Sequence, residues 1–370
     1  MPLTTVFSSN RTRLVTLVIW IAIVAGACGS DTNTSSTATE PLPSPSNPKT
    51  ITLVTHESFA LSQDLLAAFT AQTGITVELL TSGDAGTALN QSILSAGNPL
   101  GDVIFGIDNT FMSRALDADI LDAYDSPLLA EIPDEFKLDE TNRLLPVSVG
   151  DVCLNYDVGF FADSGVAPPQ SLADLTDPAL KDLLVVQNPA TSSPGLAFLL
   201  ASIAEFGFDG GYTWKNYWAD LRANGVRVSP GWTEAYYGDF TWAGGGDRPI
   251  VVSYASSPPA EVFFAEPPPT EAPTAVVEAS CFRQQEFVGI LTGTTETAAA
   301  EMFIDFLLGV EAQNDIPWNM FVFPVNINAT PPPEFVEFSL IPANPLSLPS
   351  VAIESSREGW IEDWTDIVVR

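Results

Sequence analysis

The residues best suited to chemistry in this sequence are aromatic rings that stand beside carboxylates and hydroxyls. Residues 231–237 place Trp232 and two tyrosines next to Glu234, directly after a glycine. Residues 253–258 add a tyrosine and three serines, and residues 317–324 gather three aromatic residues between two prolines. The face of an aromatic ring attracts a cation, and each such contact contributes roughly 0.5–2 kcal/mol. Together these segments favour binding of a flat organic cation, although core packing is the alternative for any single ring.

Residues for catalysis are scarce. His56 is the only histidine, so a histidine-based triad would have to use it. The sequence contains no Gly-x-Ser-x-Gly elbow, no phosphate-binding glycine loop and no His/Cys metal cluster. A pair of carboxylates acting as acid and base stays open. We therefore expect a binding protein with no catalytic residue, no metal and no cofactor.

His56 has two interpretations. It could contact a ligand and make binding depend on pH, because an imidazole titrates near neutrality. Alternatively, it is a hydrogen-bonded histidine at the end of a strand and has no ligand. Both interpretations stay open at this point.

Alternating strands and helices must position these residues. Residues 51–55, 75–80 and 103–107 have the composition of strands. Between the first two, Ser62 is a favourable N-cap and Gly74 a favourable helix stop, and a second helix is predicted at 87–96. This order predicts a parallel, doubly wound sheet with helices on its faces.

Ligands bind beyond the carboxyl ends of the strands in such sheets. Three polar tips follow the predicted strands and are expected at one edge: His56-Glu57-Ser58, Gly83-Asp84-Ala85 and Gly106-Ile107-Asp108-Asn109. Further predicted elements are strands within 145–156 and at 250–254, and helices at 196–203, 212–223, 294–308 and 353–369. The apolar stripe predicted for the helix at 294–308 consists of Met302, Phe303, Phe306 and Leu307.

The N-terminal residues indicate export. Arg11 and Arg13 precede an apolar run at residues 14–27 that ends in small residues before Cys28. Such a run is typical of a signal peptide, and it is shorter than the roughly 20 residues that a membrane span needs. Cys28 stands where a bacterial lipobox has its lipidated cysteine, so we expect lipid at Cys28 to anchor the protein to the outer face of the cell membrane. A plain signal peptide or an uncleaved anchor is the alternative.

The other two cysteines, Cys153 and Cys281, form an even pair in an exported chain. A disulfide between them is plausible in an oxidising compartment, and two buried free thiols are the alternative.

The charge balance argues against nucleic acid as a partner. The sequence has 46 acidic and 14 basic residues, for a formal net charge of −32. A surface of this sign repels phosphate backbones and attracts cations, although it equally serves solubility.

Several of these segments, in this order, resemble the thiamine-binding proteins of bacterial thiamine importers of the ABC type. The resemblance runs from about Ile51 to the C-terminus and rests on residues 56–59, 106–109, 187–196, 231–236 and 253–258. It implies an α/β periplasmic-binding-protein fold with two hinged lobes, each a doubly wound mixed sheet flanked by helices. It also implies that thiamine or a thiamine phosphate is the ligand and that a membrane permease is the partner.

The resemblance also implies ligand contacts at positions of this sequence that match the family's motifs. These are Asp84 and Ala85 in an acidic turn, Ser192 and Ser193 in a hydroxyl turn, Trp232 as a stacking ring, and Tyr254, Ala255, Ser256 and Ser257 in a Tyr-x-x-Ser loop. His56 stands where a tyrosine is frequent, and Phe321 stands where a tryptophan occurs. Ala260 replaces a stacking tyrosine of some members, so the aromatic cage is thinner here.

The expected organisation has five parts. Residues 1–28 are the signal peptide, 29–49 a Ser/Thr/Pro-rich disordered tether, 50–147 with 286–330 the first lobe, 148–285 the second lobe, and 331–370 a C-terminal segment that packs on the lobes. We expect a monomer.

Two alternatives remain. A ferric-ion receptor of the same fold would use adjacent tyrosines, for which Tyr236 and Tyr237 are candidates, since ferric ion prefers oxygen ligands. An exported enzyme with a nucleophilic cysteine would need Cys153 or Cys281 in reduced form.

Overall fold

The computed structural model describes residues 49–370. The predicted signal peptide, the lipidation of Cys28 and the tether up to residue 48 lie outside the described residues. Within residues 49–370, no helix is both long enough and apolar enough to cross a membrane.

One mixed sheet runs through the described part of the chain. Its strands are β1 (Lys49–Thr55), β2 (Ile75–Thr81), β3 (Val103–Asp108), β4 (Leu121–Asp122), β5 (Leu145–Asp157), β6 (Leu184–Gln187), β7 (Arg227–Ser229), β8 (Ile250–Tyr254), β9 (Thr274–Leu291) and β10 (Phe323–Pro324). The strand order is β2-β1-β3-β9-β5-β8-β6-β7, with β4 paired to β9 and β10 paired to β5. The pairs among β1, β2 and β3 and those of β6 with β7 and β8 are parallel, whereas β9 and β5 run antiparallel to their neighbours.

Helices cover the sheet, and short 3₁₀ turns join several elements. The helices are α1 (Gln63–Thr73), α2 (Ala85–Leu94), α3 (Met112–Asp117), α4 (Val158–Ser164), α5 (Ser193–Phe206), α6 (Trp214–Ala223), α7 (Trp232–Glu234), α8 (Thr241–Gly244), α9 (Pro258–Phe263), α10 (Thr297–Leu308), α11 (Val310–Asn319), α12 (Pro333–Phe338) and α13 (Ser350–Val368). A π-helical turn at Ala235–Asp239 continues α7.

Side-chain caps set the ends of the first two helices. The Ser62 hydroxyl accepts a hydrogen bond from the Leu65 amide at 3.4 Å, and Gly74 ends α1 with a φ of 73°, so both predicted ends of α1 are confirmed. Asp84 caps α2 by accepting a hydrogen bond from the Ala85 amide at 2.6 Å. A capped carboxylate is favourable at a helix N-terminus, and α2 therefore begins two residues before the predicted start.

Two apolar groups form most of the core. In the first, β1 and β3 pack against α1 and α10, where Phe303 and Leu307 are fully buried. Met302 is 45% exposed, so its assignment to the apolar stripe of α10 is wrong. The buried face of α10 instead carries Ala299, Ala300 and Ile304, whose side chains are small or branched.

In the second group, β6 and β8 pack against α5, α6 and α13. The rings of Trp218 and Trp364 meet edge to face with centroids 5.5 Å apart. The aromatic residues of α6 therefore belong to the core and hold the C-terminal helix.

Helix α13 also contacts the loop that follows β3. The Arg357 guanidinium, which is almost fully buried, donates to the Thr110 carbonyl and to the Ser113 hydroxyl, each at 3.0 Å. At the α6 side of the same helix, Lys215 forms an ion pair with Asp363 at 2.6 Å. Segment 331–370 thus contacts both the loop after β3 and helix α6.

A disulfide joins Cys153 on β5 to Cys281 on β9 with a Cα–Cα distance of 4.2 Å. Of the two alternatives left open by the sequence, the structure has the bridge. Both cysteines are fully buried. They lie where the pairing of β5 with β9 shifts register, between Val152 opposite Phe282 and Leu154 opposite Val277.

We predict that replacing both cysteines with alanine lowers the free energy of unfolding by about 2–4 kcal/mol, because the bridge closes a long loop in the unfolded chain. The two cysteines are 128 positions apart. Urea denaturation of the oxidised protein and of the double variant measures the difference. A reducing agent should lower the urea midpoint of the wild type and leave that of the double variant unchanged. Equal midpoints for the two proteins without reducing agent would contradict the prediction.

Candidate ligand-binding site

A cavity of about 320 Å³ lies beyond the carboxyl ends of β1 and β2. His56, Glu57 and Ser58 line it from the tip of β1, and Asp84 and Ala85 line it from the tip of β2. Because these strands are parallel neighbours, their carboxyl ends meet at one edge, as predicted from the sequence. The opposite wall comes from α7 and from the end of β8.

The third predicted tip, at the end of β3, does not line the cavity. Asp108 at the end of β3 is fully buried and accepts hydrogen bonds from the Thr110 amide at 2.8 Å and the Thr110 hydroxyl at 2.6 Å. Burial raises the pKa of Asp108 to about 6, although the bonds from Thr110 and neighbouring donors act in the opposite direction. Asp108 thus shapes the loop and does not line the cavity.

Trp232 forms the aromatic wall. Its ring stacks on Tyr236 with centroids 4.7 Å apart and planes inclined by 18°. The indole N–H donates to the Ser253 hydroxyl at 2.9 Å, which fixes the orientation of the ring. The Tyr254 ring lies 6.3 Å away at 60° and also lines the cavity. Contacts within the protein therefore hold the Trp232 ring in place.

Hydroxyls at the end of β8 hold this arrangement. The Ser257 hydroxyl lies 2.8 Å from the Ser253 hydroxyl and accepts a hydrogen bond from the Tyr254 amide at 3.2 Å. Ser257 lines the cavity, as does Ser193 at the start of α5. Serine side chains thus both support the tryptophan and contribute to the lining of the cavity.

Asp84 joins the two walls. One carboxylate oxygen caps α2, and the other accepts a hydrogen bond from the Trp232 amide at 2.9 Å. Nearby, the Thr87 amide donates to the Thr191 carbonyl at 3.2 Å. A Cβ atom at Gly86 would lie 2.8 Å from that carbonyl group, so only glycine allows this approach of α2 to the loop before α5.

His56 and Glu286 form a pair on the cavity wall. The His56 Nε2 atom lies 3.4 Å from Glu286 Oε1, and the Ser148 hydroxyl donates to Glu286 Oε2 at 2.8 Å. Burial lowers the pKa of His56, but the close approach of the Glu286 carboxylate and the charges of Glu286, Asp84 and Glu57 outweigh this effect, so the pKa is raised. The histidine is therefore next to the cavity and paired with a carboxylate.

A glycine makes room for that histidine. Gly106 has a φ of 98°, and a Cβ atom there would overlap the His56 imidazole. A positive φ also disfavours residues other than glycine. Gly106 is therefore required both by its backbone conformation and by the space that His56 occupies.

Not every residue implicated by the resemblance lines the cavity. The Ser192 hydroxyl accepts from the Gly195 amide at 3.4 Å and caps α5. Ala255 packs beside the disulfide, and Ser256 is buried. None of these three residues lines the cavity, and of residues 254–257 after β8 only Tyr254 and Ser257 do.

An aromatic rim borders the cavity. Phe321, with a φ of 53°, and Phe264 both line it, and their ring centroids are 5.6 Å apart. Phe263 and Trp318 extend this group with a centroid distance of 4.8 Å. Phe264 is 69% exposed, which leaves its face open to a guest.

Three contributors to the cavity are not among those predicted from the sequence, namely Glu286, Tyr236 as the support of Trp232, and Phe264. Glu286 carries a usable signal, because it ends a polar run at residues 283–286 within an otherwise apolar strand. Phe264 follows Ala260 by one helical turn, and residues at that spacing share a helix face.

Behind Trp232, the Tyr236 hydroxyl donates to Glu261. Burial raises the pKa of Glu261 to about 7, while the bond from Tyr236 lowers it and the charge of Asp157 raises it further. This carboxylate therefore takes part in holding the aromatic wall.

Comparison with known proteins gives three results. Residues 98–257 match the family model described as bacterial extracellular solute-binding protein. A thiamine-binding periplasmic protein of Brucella suis biovar 1 (strain 1330) is 28% identical over 327 residues, which cover 85% of this chain and 91% of that protein. A solved periplasmic thiamin binding protein is 26% identical with a TM-score of 0.76, covering 89% of this chain and 99% of that one.

A more distant solved structure, the apo ferric ion-binding protein A of Pasteurella haemolytica, is 16% identical with a TM-score of 0.67 over 86% of this chain and 98% of that one. At this identity the likeness concerns the fold alone.

The fold is therefore that of the two-lobed periplasmic binding proteins, and the predicted fold class is confirmed. Within this class the chain is similar to thiamine-binding periplasmic proteins over most of its length, so the resemblance noted in the sequence is confirmed as well.

The buried carboxylate behind the wall predicts a pH dependence of stability. The folded protein binds the proton of Glu261 more tightly than the unfolded chain, since the pKa rises from 4.5 to about 7. Raising the pH from about 5 to about 8 should therefore lower the free energy of unfolding of the wild type, by about 1–3 kcal/mol from this group. Glu261→Gln lacks this contribution.

Urea denaturation at the two pH values measures the stability of the wild type relative to Glu261→Gln. This difference should fall as the pH rises. A difference that stays constant would show that Glu261 does not titrate in this range.

Proposed function

We propose that this chain is an extracytoplasmic solute-binding lipoprotein that captures thiamine or a thiamine phosphate and delivers it to an ABC importer. The observation that carries the proposal is the convergence of Trp232, stacked on Tyr236, with the carboxylates Asp84 and Glu286 around one cavity. The relatives named thiamine-binding periplasmic proteins support the same ligand.

The chemistry of the cavity suits this guest. Thiamine carries a permanently charged thiazolium ring, and such a ring gains from stacking on tryptophan and from nearby negative charge. A volume of about 320 Å³ lies within the range of small-molecule sites. The Ser193 hydroxyl at the start of α5 provides hydrogen bonding for the hydroxyethyl or phosphate end.

We assign the first lobe to residues 50–147 and 286–330 and the second lobe to residues 148–285. The long strands β5 and β9 cross between these parts and pair with each other along both stretches. The bond from the Trp232 amide to Asp84 and the approach of the Ser58 and Thr233 hydroxyls to 3.5 Å then link the lobes across the cavity. A guest that touches both walls would favour this closed arrangement.

Export and anchoring complete the proposal. Residues 1–28 serve as the signal peptide, lipid on Cys28 holds the mature protein at the outer face of the cell membrane, and residues 29–49 form the tether. The protein acts as a monomer that presents its closed form to the permease. The names of the relatives, which describe them as periplasmic, support an extracytoplasmic location.

The ferric-ion alternative is weaker. Iron binding by tyrosine needs the tyrosinate, whereas burial and the charge of Glu261 raise the pKa of both Tyr236 and Tyr237. Tyr236 is stacked on Trp232 and donates its hydroxyl proton to Glu261. Within residues 49–370, no group of three His, Cys, Asp or Glu side chains is arranged to hold a metal.

The enzyme alternative would need a free thiol. Cys153 and Cys281 are joined in a buried disulfide, which removes both as nucleophiles, and the relatives carry the names of binding proteins.

Titration calorimetry with thiamine tests the proposal, and saturable heat with one site per chain is expected. Trp232→Ala should weaken binding by roughly 10- to 100-fold, because it removes the stacking surface. The matched control is Trp242→Ala, since Trp242 is 47% exposed on α8 and does not line the cavity. Absence of heat at high micromolar thiamine would reject thiamine as the ligand, and equal losses in both variants would reject Trp232 as the stacking ring.

A further inference from the structure

The carboxylates of the cavity differ in whether they can accept a hydrogen bond from a guest. Both oxygens of Asp84 are used, one by the Ala85 amide and one by the Trp232 amide. Glu57 is exposed to solvent. Glu286 is only 9% exposed, faces the cavity, and has one oxygen occupied by the Ser148 hydroxyl. Its other oxygen, Oε1, accepts no well-formed hydrogen bond from the described residues. Of these three carboxylates, Glu286 therefore provides the solvent-shielded acceptor for a guest.

His56 provides the complementary donor. Its Nε2 atom is buried and has no hydrogen-bond partner among the described residues, since the 3.4 Å approach to Glu286 Oε1 is not a well-formed bond. A buried polar atom without a partner destabilises the protein, because its desolvation is not compensated. A guest that fills both Oε1 and Nε2 therefore recovers this cost.

The strand positions keep these two groups side by side. Glu286 on β9 lies opposite Asp108 of β3 and opposite Ser148 of β5. His56 follows β1, which is the other neighbour of β3, and packs against Gly106. An acceptor and a donor are thus held next to each other in the lining of the cavity, which the Trp232 ring also lines.

We propose that Glu286 and His56 read the aminopyrimidine edge of the guest, with the exocyclic amino group donating to Glu286 Oε1 and the adjacent ring nitrogen accepting from His56 Nε2. This inference rests on the proposed function, because it names the part of thiamine that this wall recognises. A 4-aminopyrimidine presents a donor beside an acceptor, which is the complement of the carboxylate and the imidazole N–H. The charged thiazolium ring is left to the aromatic wall.

Other buried carboxylates do not serve this purpose. Glu261 receives the Tyr236 hydroxyl and does not line the cavity. Asp108 accepts hydrogen bonds from the amide and hydroxyl of Thr110 and does not line the cavity. Glu286 is therefore the position at which a change should alter the choice between ligands and not only the affinity.

Oxythiamine is the probe that isolates this contact, because an oxo group replaces the amino group and leaves the thiazolium ring unchanged. Its carbonyl oxygen would face Glu286 Oε1, and two acceptors repel each other. We expect the wild-type protein to bind thiamine at least about 30-fold more tightly than oxythiamine, since a site built around a hydrogen bond rejects the analogue that lacks it. Equal affinities for the two ligands would overturn the inference without any variant.

Glu286→Gln supplies the second test, since glutamine keeps the shape and offers an amide donor to the oxo group. Thiamine affinity should fall at least about 10-fold, while oxythiamine affinity should stay the same or rise, so the ratio of the two affinities should shrink at least about 10-fold. Glu78→Gln is the matched control, because it removes the same charge from an exposed position on β2 that does not line the cavity. Its ratio should equal that of the wild type.

The outcomes separate this inference from the proposed function. A loss of affinity in Glu286→Gln that is equal for both ligands would mean that Glu286 acts only as a charge, which overturns the inference and leaves thiamine binding intact. Failure of the wild type to bind either ligand would reject the proposed function and this inference with it.

Discussion

One carboxylate, that of Asp84, connects the strand tips to the aromatic wall. It caps α2 with one oxygen and binds the Trp232 amide with the other. Hydrogen bonds to an ionised group contribute about 1.5–3 kcal/mol each. Asp84 follows β2 directly, and its side chain holds the backbone at Trp232. The position of the Trp232 ring therefore depends on the position of β2. The cavity between them depends on this connection.

The sheet makes such a connection possible. Strands β5 and β9 pair along 145–157 and 274–288 and carry the chain between the β1–β3 and β6–β8 parts of the sheet. The disulfide at the register shift ties these two strands where they are otherwise unpaired. The scaffold beneath the cavity is thus covalently fixed, whereas the walls meet through hydrogen bonds and aromatic contacts. Such contacts can form and separate as a guest enters and leaves.

The sequence predicts local features well and long-range ones poorly. Ser62, Gly74 and the polar strand tips act through neighbours in the chain, so their signals are visible in a short window. Glu286 reaches the cavity only because β9 pairs antiparallel with β3, about 180 positions earlier in the chain. No periodicity reports that pairing. The same limit applies to Ala255 and Ser256. The sequence resemblance predicts both as ligand contacts, whereas the turn after β8 buries them.

The central claim is that both walls close on thiamine, and a crystal structure of the protein with saturating thiamine tests it most directly. One thiamine is expected in the cavity, with its thiazolium ring against Trp232 and its amino group at Glu286. Thiamine bound at another surface, or an empty cavity under those conditions, would contradict it.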